Sequence, residues 1–129
     1  MTTFNKKYLD YIDIMFYVND VARAYGKYEE LKPYLYQHII RTNQYMLSRL
    51  GIRTKWAYYE KMKKDYILHK KEIEDVYDEL YYKYQAIYDA TIKSNNFITQ
   101  QIRISYLFLK NKKKVWEEEK IERSMWHPR

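Results

Sequence analysis

The 129-residue sequence contains no cysteine, two glycines and two prolines. Without cysteine there is no disulfide, no thiolate metal site and no thiol nucleophile. Gly26, Gly51, Pro33 and Pro128 are too few to turn a chain repeatedly, and no Asn-Gly or Asp-Gly pair occurs. Hairpins of β-strands depend on those residues, so a sheet of several strands is excluded and long helices are expected. Apolar runs are short as well. Nothing approaches the roughly 18 residues that a bilayer span requires. Lys6 and Lys7 before an apolar stretch and Ala22-Arg23-Ala24 have the outline of a secretion signal, but Asp10 and Asp13 interrupt its apolar part. The chain is therefore expected to be made and kept in the cytoplasm.

Catalytic material is equally scarce. The histidines are three, His38, His69 and His127. There is no Gly-rich phosphate loop, no nucleophile elbow and no His-Glu-x-x-His zinc motif. Asp65, His69 and Glu72, at spacings of four and three, come nearest to a metal set. Helical-bundle metal sites draw ligands from several helices, and no second such set is present. Asp65 and Glu72 are expected to pair with Lys61, Lys63 or nearby bases. Glu72, Asp75 and Glu79 are expected to form a solvated acidic face. No enzyme activity, cofactor, metal or small-molecule substrate is expected.

What the chain has in abundance is apolar surface and tyrosine: 47% of residues are hydrophobic and 17 are Tyr. The first figure supports a packed core rather than a disordered chain. Tyrosine combines a large rigid ring with a polar end and suits contacts that are partly wet. Tyr8, Tyr11, Phe16, Tyr59, Tyr66, Trp116 and Trp126 are the expected subunit-interface residues.

The apolar periodicity predicts helices throughout. A first helix is expected over Asn5–Tyr25. Leu9, Ile12, Phe16 and Val21 mark one face, while Tyr8, Tyr11, Ile14, Met15 and Tyr17 widen the apolar belt to nearly all sides. Such a helix demands burial on nearly all sides. Gly26 is placed to end it. A second helix is expected from Pro33, with Leu35, Ile39, Met46 and Leu50 at helical spacing, closed by Gly51. Thr54 is expected to cap a long helical region reaching Ile92. In it Tyr59, Met62, Tyr66, His69, Ile73, Val76 and Leu80 form a heptad-like seam. Ser94-Asn95-Asn96 predicts a break and a new cap. A fourth helix carries Ile98, Ile102 and Leu109, with Phe97, Ile104 and Phe108 alongside. The expected architecture is all-α: an N-terminal helical hairpin arm over residues 1–51, then an antiparallel helical bundle with an amphipathic tail over residues 52–129.

The net charge of +7 is unevenly spread. Residues 32–53 carry +4 and residues 93–129 carry +5, while residues 1–31 and 54–92 carry −1 each. Leu31–Tyr59 and Ala90–Trp116 contain no Asp or Glu. A phosphate-facing surface requires that omission, because a carboxylate would repel the nucleic-acid backbone. In the first stretch Arg41 and Arg49 lie near one helical face with Gln37, Gln44 and Ser48. In the second, Asn96, Gln100, Arg103, Lys110 and Lys114 fall near one line. The expected phosphate contacts are Lys32, Arg41, Arg49, Arg53, Lys55, Arg103, Lys110 and Lys114. Base-specific reading has no signature here, since a helix-turn-helix reader uses a tighter turn than Gly26–Lys32.

A cysteine-free, Tyr-rich helical chain with a hairpin (Asn5–Tyr25, Pro33–Leu50), a Gly51 hinge and helices from Thr54 onward resembles the major capsid proteins of filamentous archaeal viruses, the lipothrixvirus type above all. The resemblance implies a coat subunit whose N-terminal hairpin clamps linear double-stranded DNA without sequence specificity. It implies a C-terminal bundle packed against neighbouring copies or a paralogous capsid protein, in a helical filament inside a lipid envelope, and location in the virion. The −1 charge of residues 1–31 departs from that pattern, leaving the second helix as the basic one. Three other readings remain open: a small dimeric helical regulator that binds DNA or RNA, a protein–protein module pairing through the Tyr59–Leu80 seam, and membrane-surface binding by a basic amphipathic helix, which Lys112-Lys113-Lys114 beside Val115-Trp116 would serve and Glu117-Glu118-Glu119 would oppose.

Overall fold

The structure, a computed structural model, describes residues 7–126, and of Trp126 the backbone only. The expected helix start at Asn5 and the expected interface role of the Trp126 side chain lie outside what is described. Among the described residues every regular element is helical. The order is α1 (Lys7–Ala24), α2 (Tyr28–Arg49), α3 (Ile52–Leu68), α4 (Lys70–Asp75), a 3-10 turn (Tyr77–Glu79), α5 (Tyr82–Lys93), α6 (Phe97–Lys110) and α7 (Lys112–Trp126).

Local chemistry explains the first turn. Gly26 takes φ +68°, the Lys27 N–H donates to the Ala22 carbonyl at 2.9 Å, and the Gly26 N–H donates to Arg23 at 3.0 Å. This is the Schellman closure that a left-handed glycine permits. α2 starts at Tyr28, more than a turn before the expected start at Pro33. Glu29 and Glu30 occupy its first turn, where negative charge complements the helix dipole. Gly51 does not close α2 in a left-handed conformation. It is the N-cap of α3 at φ −68°, and Thr54, expected as that cap, is a buried residue inside α3.

The expected single helix from Thr54 to Ile92 is broken twice. It ends at His69, resumes as the six-residue α4, and turns extended at Leu80 and Tyr81 before α5. The second break is held by partners far away in sequence. The Tyr81 N–H donates to the Gln37 side-chain oxygen at 2.8 Å. The Tyr82 and Lys83 N–H groups donate to the Glu118 carboxylate at 2.7 and 3.0 Å. A buried carboxylate from α7 thus satisfies the orphan donors at the start of α5. The expected break at Ser94–Asn96 is present, and the Asn96 side chain caps α6 by accepting from Thr99 N–H at 2.9 Å.

One core runs through the molecule. Ile12 and Phe16 of α1, Tyr36 and Ile40 of α2, Tyr58 and Met62 of α3, Ile73 of α4, Tyr88 of α5 and Ile104 of α6 all belong to it. The α1–α2 hairpin packs on α3 and α5, so it is docked on the remaining helices and does not project as an arm. Tyrosines fill this interior and carry hydrogen bonds across it. Tyr58 donates to Asn43 Oδ1 at 2.7 Å, Asn43 Nδ2 donates to Tyr66 at 3.1 Å, and Tyr59 bonds to the Thr91 and Ser94 carbonyls at 2.8 Å each. Phe16, Tyr59 and Tyr66, expected at subunit interfaces, are therefore core residues. The seam from Tyr59 to Leu80 is likewise consumed inside the chain, and only His69 in it is half-buried.

Candidate nucleic-acid interface

α2 buries Tyr36, Ile39, Ile40, Asn43 and Leu47 and turns another line of residues outward. Tyr34, His38, Arg41, Tyr45 and Arg49 follow one another at steps of four and three, the spacing of a single helical face. All are exposed except Arg41, which is half-buried. The Arg49 guanidinium sits 5.9 Å from the centre of the Tyr45 ring. Exposed Arg53 follows at the start of α3. Arg41 and Arg49 came from the charge pattern. Tyr34, His38 and Tyr45 were missed, although the same three-and-four spacing from Arg41 finds them.

Toward the N-terminal end of this line lies an open groove of about 770 Å³. Tyr34, His38 and Arg41 line one side, and Glu79, Tyr81, Glu122 and Met125 line the other. A stretch free of acids in sequence is thus not free of them in space. Burial, then the neighbouring Arg41 charge, holds the His38 pKa below its ordinary value. The end of α2 bearing Tyr45 and Arg49, with Arg53 beyond it, is the part whose cations stand clear of that groove.

Several expected contacts have other duties. Lys32 is only 4% exposed and its ammonium lies between Glu72 and Asp75, at 2.5 and 3.2 Å. It ties α2 to α4 and is removed from the phosphate-facing set. Burial lowers the pKa of that ammonium, but hydrogen bonds to Glu72 and Asp75 outweigh burial and raise it overall. Glu72, held chiefly by its bond to Lys32, is pushed below the usual carboxylate value. Gln100 is wholly buried, donating to Gln44 Oε1 at 3.0 Å and Thr91 Oγ1 at 2.9 Å. With Asn96 spent as a cap, the expected polar line along α6 reduces to exposed Arg103 and Lys110, with Lys114 beyond on α7. The Gln44–Gln100 bond links α6 to α2, and Arg103 follows Gln100 by three residues along α6. Lys55 is half-buried, its ammonium 5.4 Å from the centre of the Phe97 ring. Of the expected interface aromatics, Tyr11 and Trp116 are exposed and Tyr8 is half-buried.

The Asp65, His69 and Glu72 trio does not converge. Asp65 pairs with Lys61 at 2.7 Å, the His69 ring stacks on Phe16 with centres 4.2 Å apart, and Glu72 holds Lys32. Among the described residues no group of three such side chains is placed to hold a metal ion. No helix among them is long and apolar enough to cross a membrane. No family model, curated protein or solved structure matches this chain.

Proposed function

We propose that this protein is a structural nucleoprotein that binds double-stranded DNA through its phosphates, without reading sequence, as the subunit of a filamentous coat. The observation that carries this reading is the outward line of α2, whose last turns bring exposed Tyr45 and Arg49 up to exposed Arg53, clear of Glu79 and Glu122, which line the groove beside Tyr34, His38 and Arg41. Arginine presents a planar fork that grips a phosphate with two donors. Neutralising phosphates releases condensed counterions, which gives affinity that falls steeply with salt and ignores base identity. Tyr34 and Tyr45 add flat faces against the sugar-phosphate edge. Arg49 and Arg53 are the principal contacts, with Arg41, Lys55, Arg103, Lys110 and Lys114 adding to the field. Lys32 is not among them.

In this reading the α1–α2 hairpin still meets the DNA, but with α2 alone and while docked on the other helices. The protein acts by binding and not by catalysis. The resemblance to filamentous-virus coats extends the proposal to a virion made in a host cytoplasm, to assembly with copies or a paralogue, and to an enveloping lipid layer. The test is titration of the purified protein onto long linear double-stranded DNA at several salt concentrations, with electron microscopy of the saturated mixture. Salt-sensitive, sequence-indifferent binding that yields uniform filaments supports the proposal. No complexes at low salt refute it, and tight binding at discrete sites without filaments favours a regulator.

A further inference from the structure

α7 is fastened to the molecule mainly by carboxylates. It packs on α5 and, beside their junction, on α6. Among its described side chains Val115 and Glu118 are buried and Glu122 is half-buried, whereas Trp116, Ile121 and Met125 are exposed. Glu118 accepts from the Tyr82 and Lys83 N–H groups at the start of α5. One turn on, Glu122 accepts from the buried Tyr84 hydroxyl and pairs with the Lys83 ammonium, at 2.5 Å each. The start of α5 is thus a docking surface shaped to one particular helix, and every copy of the chain carries both halves of it.

The junction that leads α7 to this surface is a single residue. α6 ends at Lys110, α7 begins at Lys112, and Asn111 between them takes φ −126° and ψ 47°, outside the helical region. Helical hydrogen bonding continues up to it from both sides. The Asn111 N–H donates to the Leu107 carbonyl at 3.2 Å and the Val115 N–H donates to the Asn111 carbonyl at 3.1 Å, each the four-residue step of an α-helix. No glycine or proline lies between Phe97 and Trp126 to require a break. The break also carries a cost. Lys112, Lys113 and Lys114 fill the first turn of α7 with no acid among them, and cations there oppose the helix dipole. Were α6 and α7 one continuous helix, the same lysines would lie in mid-helix, free of that penalty.

We infer that two copies of the chain exchange α7: each straightens at Asn111, and its α7 docks on the start of the other's α5. A short, strained hinge is what favours such an exchange. The Glu118 and Glu122 contacts are made again between chains as they are within one, so docking itself neither gains nor loses. What the exchange gains is relief at the two hinges. What it loses is the freedom of two separate molecules, so the exchanged dimer forms as concentration rises. Nucleic acid takes no part, and the exchange stands or fails separately from DNA binding.

The experiment uses the full chain without DNA, in sedimentation equilibrium after long incubation at high concentration. The wild-type protein is expected to pass from one 16.2 kDa chain to two as concentration rises. Lys83→Glu sets carboxylate against carboxylate at the Lys83–Glu122 pair, and Glu122→Lys sets ammonium against ammonium, within one chain and between two like chains alike. Each variant alone is therefore expected to remain monomeric. In an equimolar mixture, exchange brings the introduced ammonium to the introduced carboxylate and native Glu122 to native Lys83, so a dimer with one copy of each is expected. At the exposed hinge, Asn111→Ala favours the straight helix and, acting at two hinges, should tighten the wild-type dimer about tenfold. Asn111→Gly should weaken it. A mixture that stays monomeric overturns the inference, as does a wild-type protein that is monomeric at millimolar concentration. So does a dimer that forms equally in either variant alone, or one that ignores both Asn111 substitutions.

Discussion

Asn43 offers a sharp test of the packing, because one side chain holds two buried hydroxyls. Its Oδ1 accepts from Tyr58 at 2.7 Å and its Nδ2 donates to Tyr66 at 3.1 Å, and all three residues are fully buried. Asn43→Ala strands both hydroxyls in the interior. Each buried polar group left without a partner costs about 1–3 kcal/mol. A small cavity adds to this, so the expected loss is about 3–5 kcal/mol. For a domain of this size that corresponds to a fall in Tm of roughly 10–20 °C. The assay is urea unfolding followed by circular dichroism, with thermal melts in parallel. Adding Tyr58→Phe to the Asn43→Ala background removes one stranded hydroxyl and should recover about 1–2 kcal/mol. A loss below about 1 kcal/mol for Asn43→Ala, or a further loss on adding Tyr58→Phe, would refute the account of the core.

Lys32→Met should cost about 1–2 kcal/mol of stability, because it breaks two bonds to partly exposed carboxylates, and should leave DNA affinity unchanged; unfolding and binding titrations check the two halves. The same cluster fixes a pH dependence. The pKa of Glu72 is lowered in the folded state, so its contribution is present above the ordinary carboxylate range and lost as pH falls through the lowered value. The Lys32 pKa is raised, so its contribution is present below the ordinary lysine range and lost only as pH rises through the raised value. Lys32→Met should therefore flatten the acid side of a stability-against-pH curve, and an unchanged curve would contradict this. Gly26→Ala meets no atom within 4 Å but forces a side chain to φ +68°, which should cost about 1–2 kcal/mol in urea unfolding.

The features legible in the sequence are those decided by neighbours along the chain. Gly26 closes α1 and Asn96 caps α6, because in each case the bonds formed reach no more than five residues. The all-helical class followed from the scarcity of turn residues. The break between Leu80 and Tyr82 was illegible, since the groups that satisfy it, Gln37 and Glu118, lie more than thirty residues away. Lys32 shows the same limit: nothing beside it in sequence signals Glu72 and Asp75. Periodicity also fails where a helix is apolar on two sides. For α1 and α6 it marks both faces and cannot say which one the chain itself covers. Tyrosine is ambiguous for a related reason. Its ring suits a core and its hydroxyl suits a wet interface, and Tyr59 and Tyr66 take the first role while Tyr11 and Tyr45 are turned outward.

The central claim is that exposed arginines at the end of α2 and the start of α3 neutralise phosphates. Its most direct test is the salt dependence of affinity for long double-stranded DNA of random sequence, compared between the wild-type protein and Arg49→Gln/Arg53→Gln. Each lost phosphate contact should reduce the slope of log affinity against log salt by about 0.9. The double variant is therefore expected to lose about 1.8 from the slope and to bind every sequence more weakly by the same factor. An unchanged slope, with the variant folded as the wild type is, would contradict the assignment of these arginines to phosphate.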